Sequence, residues 1–170
     1  VIGVFDPGIF AIGDTITTPG KKFRFSGIPT FAPEHFCRVS AKDSMKRKQF
    51  VKGTEQIAQE GAIQIFKVPN SGMEEVIVGV VGTLQFDVFQ YRMKNEYGVE
   101  LRMEHLPYEE IRRIDSYPGD LDELNLGSDA ELLEDYRGGK LLVFTSFWAI
   151  DFTCRRNPGL KVSEIVVSEG

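Results

Sequence analysis

The sequence predicts an α+β protein whose main part is a four-stranded antiparallel sheet with two helices on one face. Three observations lead to this prediction. From Glu34 onward, segments with the two-residue period of strands alternate with segments of helical period. Gly61 and Gly98 stand where each helical pattern stops. Upstream, residues 28–33 contain two prolines, which disfavour a helix and mark a stiff boundary.

Residues 1–31 are predicted to form short strands separated by turns. Asp6-Pro7-Gly8 and Pro19-Gly20 are typical turn sequences between the apolar stretches 2–5, 9–12 and 23–25. Three short strands alone leave unpaired edges and little core. We therefore predict that residues 1–31 are the end of a β-barrel domain that begins upstream of Val1. The second predicted domain comprises residues 32–170.

The second domain begins with six elements in the order β-α-β-β-α-β. They are a strand over 35–41, a helix from a cap at 43–44 to about 60, strands over 62–68 and 76–81, a helix from a cap at Thr83 to about 97, and a strand over 99–103. Along the first strand, Phe36 and Arg38 share one face, and Cys37 and Val39 share the other. The order is the split βαβ arrangement of ferredoxin-like domains.

A C-terminal α/β extension follows this ferredoxin-like part. It is predicted to contain a strand over 111–117, an acidic helix over 129–136, a strand over 141–145, an aromatic-rich helix over 146–156, a turn over 157–159 and a final strand over 162–167. Leucines throughout residues 120–135 indicate that this acidic segment folds.

Composition limits the functional classes. The chain is 42% apolar and 26% charged, which is typical of a soluble globular protein. Because apolar runs stay below the roughly 18 residues of a membrane span, we expect no membrane partner, and reduced cysteines would be typical of a cytoplasmic protein. The start lacks the basic region and cleavage site of a signal peptide. Cys37 and Cys154 are too few for a disulfide framework and lack metal-ligand spacing, so we expect reduced thiols.

Catalytic and cofactor motifs are missing from the sequence. Neither the phosphate-binding G-x-x-x-x-G-K-[ST] nor N-K-x-D occurs. Residues 135–138 spell D-x-x-G, which we interpret as a turn that ends the acidic helix. Gly79 and Gly82 lie at a strand–helix junction, where close packing against the neighbouring helix is favoured over an anion site. His35 and His105 are not in a metal-ligand pattern. We therefore predict no catalytic, cofactor or metal residues in this chain.

A group of cations is the best functional candidate. Although the formal net charge is −5, residues 38–52 contain six cations against Asp43 alone. Such an array suits the phosphate oxygens of structured RNA, and a solvated helix start is the alternative interpretation. The predicted contact residues are Lys42, Lys46, Arg47, Lys48 and Lys52.

Two longer motifs point to a family. They are the sequence FSGIPTFAPE at residues 25–34 and the sequence VGVVGTLQFD at residues 78–87. At this spacing they resemble the C-terminal part of the bacterial class II peptide chain release factors, translational GTPases that free stop-codon-reading release factors from the ribosome. Residues 13–15, 48–53, 60–62 and 94–99 fit the same resemblance, whereas the acidic segment 115–135 departs from it.

The resemblance implies a mechanical role in translation termination. The chain would dock on the small ribosomal subunit near its protein S12, touching subunit protein and ribosomal RNA, and would pack against its own upstream G domain in the GDP form. It would act on class I release factors indirectly. GTP or GDP and Mg would bind in that G domain, so this chain itself would hold no cofactor. Two alternatives remain: the C-terminal module of an elongation factor G-like GTPase, or a standalone ferredoxin-like binding domain.

Overall fold

The computed structural model describes residues 3–5, 14–18, 20, 23, 31–69, 71–72 and 74–165. Within these residues, eight strands form one sheet in which every pairing is antiparallel. The elements are β1 (His35–Ala41), α1 (Arg47–Gln59), β2 (Gln64–Lys67), β3 (Glu75–Val80), α2 (Leu84–Tyr97), β4 (Leu101–Leu106), β5 (Glu110–Ser116), β6 (Ala130–Asp135), β7 (Lys140–Phe144), α3 (Phe147–Arg156) and β8 (Lys161–Glu164), with short 3-10 helices at Ser44–Lys46 and Leu121–Glu123.

The first four strands form the half-sheet that the sequence predicts. Their order is β4-β1-β3-β2, and α1 and α2 pack together on one face. The ferredoxin-like arrangement is therefore confirmed. Cys37 and Val39 are buried with Phe50 of α1 in the core beneath the helices, whereas Phe36 belongs to a separate core on the opposite face. Gly61 and Gly98 have φ of +75° and +66°, the left-handed conformation in which helices commonly end.

The other four strands continue the same sheet in the order β6-β7-β5-β8. The join is a short ladder between β2 and β6, in which Phe66 pairs with Asp135 and Lys67 with Glu134. The extension strands and the aromatic-rich helix are present as predicted, although the end of the last predicted strand, from residue 166, lies outside the described residues.

The predicted acidic helix over 129–136 is wrong, because this segment is strand β6. Leu132 and Leu133 are both buried, on opposite faces of the strand. A strand covered on both faces loses the simple alternation by which strands are recognised in a sequence. Its acids have cross-strand or loop partners: Glu131 accepts a hydrogen bond from the Tyr108 hydroxyl, and Glu134 pairs with Lys140.

The sheet coils back on itself. Only residues 107–109 connect β4 to β5, although β4 is first and β5 seventh in the strand order. In a flat sheet these strands would lie about 29 Å apart, whereas four Cα–Cα steps reach about 15 Å. The two halves must therefore face each other. In agreement, Arg38 Nη2 on β1 lies 3.5 Å from Glu131 Oε1 on β6.

Three apolar cores result from this arrangement. The central core lies on the inner face, between the two halves, and contains Phe36, Phe66, Ile77, Ile111, Leu133, Leu141 and Val143. On the outer face, one core lies under α1 and α2, and another lies under α3. The layers are thus helix, half-sheet, central core, half-sheet and helix, which buries both faces of most strands.

The proline-containing boundary is attached to the sheet where it is described. Pro33 is buried, the Glu34 amide donates to the Val80 carbonyl (2.9 Å), and Gln64 Nε2 donates to the Phe31 carbonyl (2.7 Å). Of the predicted barrel strands, those over 9–12 and 23–25 lie largely outside the described residues, and residues 3–5 of the strand predicted over 2–5 are not in a strand. The domain boundary at residue 31 stays a prediction.

Gly79 is close-packed, but its neighbours differ from the prediction. A Cβ at this position would lie 2.9 Å from Pro33 Cβ and 2.9 Å from Phe66 Cε2, so the contacts are the boundary segment and β2, not a helix. A Cβ on Gly82 would meet no atom within 4 Å. Thr83 makes no capping hydrogen bond; instead Gln85 Oε1 accepts from the amides of Val81 and Gly82.

We predict opposite effects for alanine at these two glycines. Gly79→Ala should lower the free energy of unfolding by about 1–3 kcal/mol, because the methyl group overlaps Pro33 and Phe66. Gly82→Ala should be neutral or stabilising by up to about 1 kcal/mol, because it only restricts the unfolded chain. Urea unfolding of both variants provides the measurement. Equal midpoints for the two variants would contradict the close packing of Gly79.

Candidate nucleic-acid interface

The five predicted cations lie together around the start of α1. Lys42 follows β1, Lys46 ends the first 3-10 helix, and the other three lie on α1. Asp43 has extended backbone geometry, and its side chain accepts a hydrogen bond from the Met45 amide at 2.9 Å, which starts the 3-10 helix. We call Lys42, Lys46, Arg47, Lys48 and Lys52 the basic surface.

Ion pairs divide the basic surface into two groups. Arg47 Nη1 lies 2.7 Å from Glu74 Oε1, and Lys42 Nζ lies 3.7 Å from Glu100 Oε2. The other three cations, Lys46, Lys48 and Lys52, form no ion pair with any residue that the structure describes. Lys48 and Lys52 are exposed and Lys46 is half-buried. These three lysines remain available to an external anion.

The position of the lysines at a helix start is unfavourable for the isolated fold. A helix N-terminus carries partial positive charge and favours acidic side chains. The first turn of α1 has no acid, Lys46 occupies its N-cap position, and no side chain caps it. Asp43, which caps the preceding 3-10 helix, offsets part of this cost.

Helix α1 is nevertheless held firmly in place. Phe50 and Ile57 are fully buried against the sheet. Gly53 permits close approach of α2, because a Cβ there would lie 2.7 Å from Tyr97 Cγ. The lysines therefore project from a fixed element, which favours a defined binding geometry.

The D-x-x-G sequence at 135–138 forms the β6–β7 hairpin turn. Asp135 Oδ1 accepts hydrogen bonds from the amides of Arg137 (2.7 Å) and Gly139 (2.8 Å), and Gly138 has φ of +83°. The prediction of a turn is confirmed, but a strand precedes it where we predicted a helix. The Asp135 carboxylate therefore accepts hydrogen bonds within the turn itself.

A cysteine–histidine contact escaped the sequence analysis. Cys37 Sγ lies 3.3 Å from His105 Nδ1, because these residues pair across the β1–β4 ladder. Such a non-local pair has no sequence signature. Cys37 is fully buried, and burial raises the pKa of its thiol to about 11. A protonated, buried thiol is a poor nucleophile.

We predict that Cys37 makes folding sensitive to alkaline pH. Its pKa rises from 9.0 to about 11 on burial, so its contribution to stability is complete below pH 9 and is lost as the pH rises to about 11. In this window the free energy of unfolding should fall by up to about 1.4 kcal/mol per pH unit. Urea unfolding from pH 8 to 11 measures this slope, and Cys37→Ala should reduce it. Identical slopes in both proteins would contradict the assignment.

Neither a metal-binding cluster nor a membrane-spanning helix occurs in the part of the chain that the structure describes. In those residues no three or more His, Cys, Asp or Glu side chains are grouped so that they could hold a metal ion. None of the helices described above is long and apolar enough to cross a membrane.

Comparison with known proteins supplies the family. Residues 25–154 match the family model described as class II release factor RF3, C-terminal domain. Peptide chain release factor 3 of Symbiobacterium thermophilum is 48% identical over 160 residues, which cover 94% of this chain and 30% of the relative. Those of Listeria welshimeri and Streptococcus sanguinis are 42% identical over 166 and 164 residues, covering 98% and 96% of this chain and 31% of each relative.

These matches confirm the resemblance to class II release factors and do not support the elongation factor-like or standalone alternatives. The chain spans about a third of the length of the relatives it matches. From the family match and the identities, we conclude that the chain belongs to the class II release factor RF3 family and contains its C-terminal domain.

Proposed function

We propose that this chain is the ribosome-docking portion of a GTP-dependent peptide chain release factor, which promotes dissociation of class I release factors from the ribosome during translation termination in the cytoplasm. The observation that carries the proposal is the set of three lysines in and around the first turns of α1 that form no ion pair with a described residue, on a domain of the class II release factor RF3 family. The GTPase site, with its nucleotide and Mg, would lie in a G domain outside this chain.

The charge and geometry of the basic surface suit ribosomal RNA. Lys46, Lys48 and Lys52 form no ion pair with a described residue, and Lys46 and Lys48 lie at the positive end of a helix. Both features favour phosphate oxygens. A small-subunit protein would complete the docking surface, and the class I release factor would be affected indirectly.

The attachment of the boundary segment supports a mechanical role. Pro33, Glu34 and Phe31 connect the incoming chain to β3 and β2 through packing and two hydrogen bonds. A displacement of the upstream domains, including a G domain packed against this one, would act on the docking domain at this attachment. That behaviour fits a factor whose nucleotide state changes its contacts on the ribosome.

Two binding measurements on the 170-residue chain test the proposal. Sedimentation with purified small ribosomal subunits should show binding that weakens as salt is raised, since phosphate contacts release counterions. Isothermal titration calorimetry should show no binding of GTP or GDP to the same chain. Micromolar affinity for GTP would contradict the placement of the nucleotide site outside the chain. Absence of subunit binding at low salt would contradict ribosome docking.

A further inference from the structure

A groove beside the basic surface has the chemistry of a nucleotide subsite. It lies between the C-terminal half of α2 and the start of β4, and its volume is about 330 Å³, near the lower end for small-ligand pockets. All of its lining residues except Leu101 carry polar groups: Lys42, Asp87, Gln90, Tyr91, Lys94, Asn95 and Glu100. Because Lys42 belongs to the basic surface as well, the two sites are continuous.

An aromatic ring is available in this groove. Tyr91 is 69% exposed, and its ring stacks on no other aromatic ring among the described residues. Exposed aromatic rings are the platforms on which proteins stack the unpaired bases of RNA.

Hydrogen-bonding groups flank the ring. Asn95 Nδ2 donates to the Tyr91 backbone carbonyl at 2.7 Å, which restrains this amide one helical turn after Tyr91, and Gln90 is exposed one residue before Tyr91. Carboxamides both donate and accept hydrogen bonds, as the edges of nucleobases do.

Two lysines at the rim suit a phosphate. Lys42 Nζ lies 3.7 Å from one Glu100 oxygen, and Lys94 Nζ lies 3.4 Å from the other. Two ammonium groups thus share a single carboxylate, which leaves net positive charge at this rim. Asp87 brings the charge of the whole lining close to zero. A nucleobase is uncharged, so it needs no net charge in the groove. Its phosphate is negatively charged and needs positive charge only at the rim that carries the two lysines.

We propose that this groove holds one unstacked nucleotide of ribosomal RNA, an inference that rests on the proposed ribosome docking. The base stacks on Tyr91 with its edge toward the amides of Gln90 and Asn95, and its phosphate lies against Lys42 and Lys94. The two lysines that share one carboxylate favour RNA over a protein segment, because ammonium groups suit phosphate oxygens. The groove is also too small for a duplex.

Tyrosine variants of the 170-residue chain test the inference. Tyr91→Ala should lower affinity for small ribosomal subunits about 5- to 150-fold, the range corresponding to loss of one base–aromatic stack. Tyr91→Phe keeps the ring and should stay within about twofold of the wild type. Tyr136→Ala is the matched control, because Tyr136 is 71% exposed but lies in the β6–β7 turn. The salt dependence should not change, since tyrosine is uncharged.

Chemical probing of the subunit RNA adds a direct readout. The wild-type chain should protect a single base from modification, and Tyr91→Ala should lose that protection. Equal affinity of Tyr91→Ala and wild type, with binding still sensitive to the basic surface, would overturn the groove inference and leave ribosome docking intact. Weaker binding by Tyr91→Ala without any base protection, or with a crosslink from the groove to a ribosomal protein, would also overturn it. Failure of the wild-type chain to bind subunits would overturn both.

Discussion

Replacing Lys46 and Lys48 with glutamate should lower the affinity of the chain for small ribosomal subunits about 100-fold at low salt. Each lysine would lose a charge-assisted hydrogen bond to phosphate, worth about 1.5 kcal/mol or more, and two such losses correspond to about two decades in affinity. Because phosphate contacts release counterions, the dependence of affinity on salt should also become shallower by about one unit of slope per lysine.

The same double variant should keep the stability of the wild type or slightly exceed it. Neither lysine has an ion pair within the described residues, so no internal pair is broken. Glutamates at a helix start interact favourably with the helix dipole, by about 0.3–1 kcal/mol each. Urea unfolding checks this point and separates loss of binding from loss of structure.

A matched control changes the charge by the same amount elsewhere. Lys161→Glu together with Arg137→Glu alters two cations on the second half of the sheet, in β8 and the β6–β7 turn. These changes should reduce affinity only weakly, through long-range repulsion that is screened beyond about 10 Å at 0.1 M salt. If both double variants bind equally, with the same salt dependence, the basic surface is not the RNA contact.

Phe36→Ala should lower the free energy of unfolding by about 3–5 kcal/mol. Phe36 is 1% exposed in the central core, where its ring lies 6.3 Å from that of Phe66 and 6.4 Å from that of Tyr108, measured between centroids. Deleting this ring leaves a cavity between the two half-sheets. The loss is a large part of the roughly 5–15 kcal/mol that a typical domain has in total.

The control for this variant is Phe147→Ala, at a phenylalanine that is 64% exposed on α3. It should change stability by less than about 0.5 kcal/mol. Both variants should unfold in one transition by circular dichroism and tryptophan fluorescence, because the halves share the central core. Two separate transitions in the wild type, or a shift below 1 kcal/mol for Phe36→Ala, would contradict the coiled sheet.

Local patterns in the sequence were sufficient to predict the first half of the fold. The alternation of Phe36, Cys37, Arg38 and Val39 predicts both faces of β1, and the glycines after α1 and α2 predict their ends. Strand β6 could not be predicted in this way. Leu132 and Leu133, which are adjacent in β6, are buried on opposite faces of the strand. A sequence in which acidic residues stand beside leucines resembles the sequence of an amphipathic helix.

The residues of the candidate site could likewise be predicted only where local sequence patterns reveal them. All five cations were recognisable as a group because they are close in the chain. Their division into paired and unpaired members was not, because Glu74 and Glu100, which bind Arg47 and Lys42, are far away in the sequence. The groove at Tyr91 could not be predicted from the sequence for the same reason. Its ring is on α2 and Lys42 follows β1, so the two residues come together only in the folded sheet.

The arrangement that follows from the three-residue β4–β5 connection also has a consequence for folding during synthesis. The first half-sheet is complete at Leu106, but its inner face, with Phe36, Phe66 and Ile77, is covered only by strands that end at Phe144. At bacterial synthesis rates this interval lasts about 2–8 s. During that time the completed half-sheet exposes phenylalanine side chains on its inner face. Chaperones that bind apolar strands would bind the nascent chain at this face. Substitutions that slow β6–β7 pairing would therefore reduce yield during biosynthesis, even where the finished protein is stable.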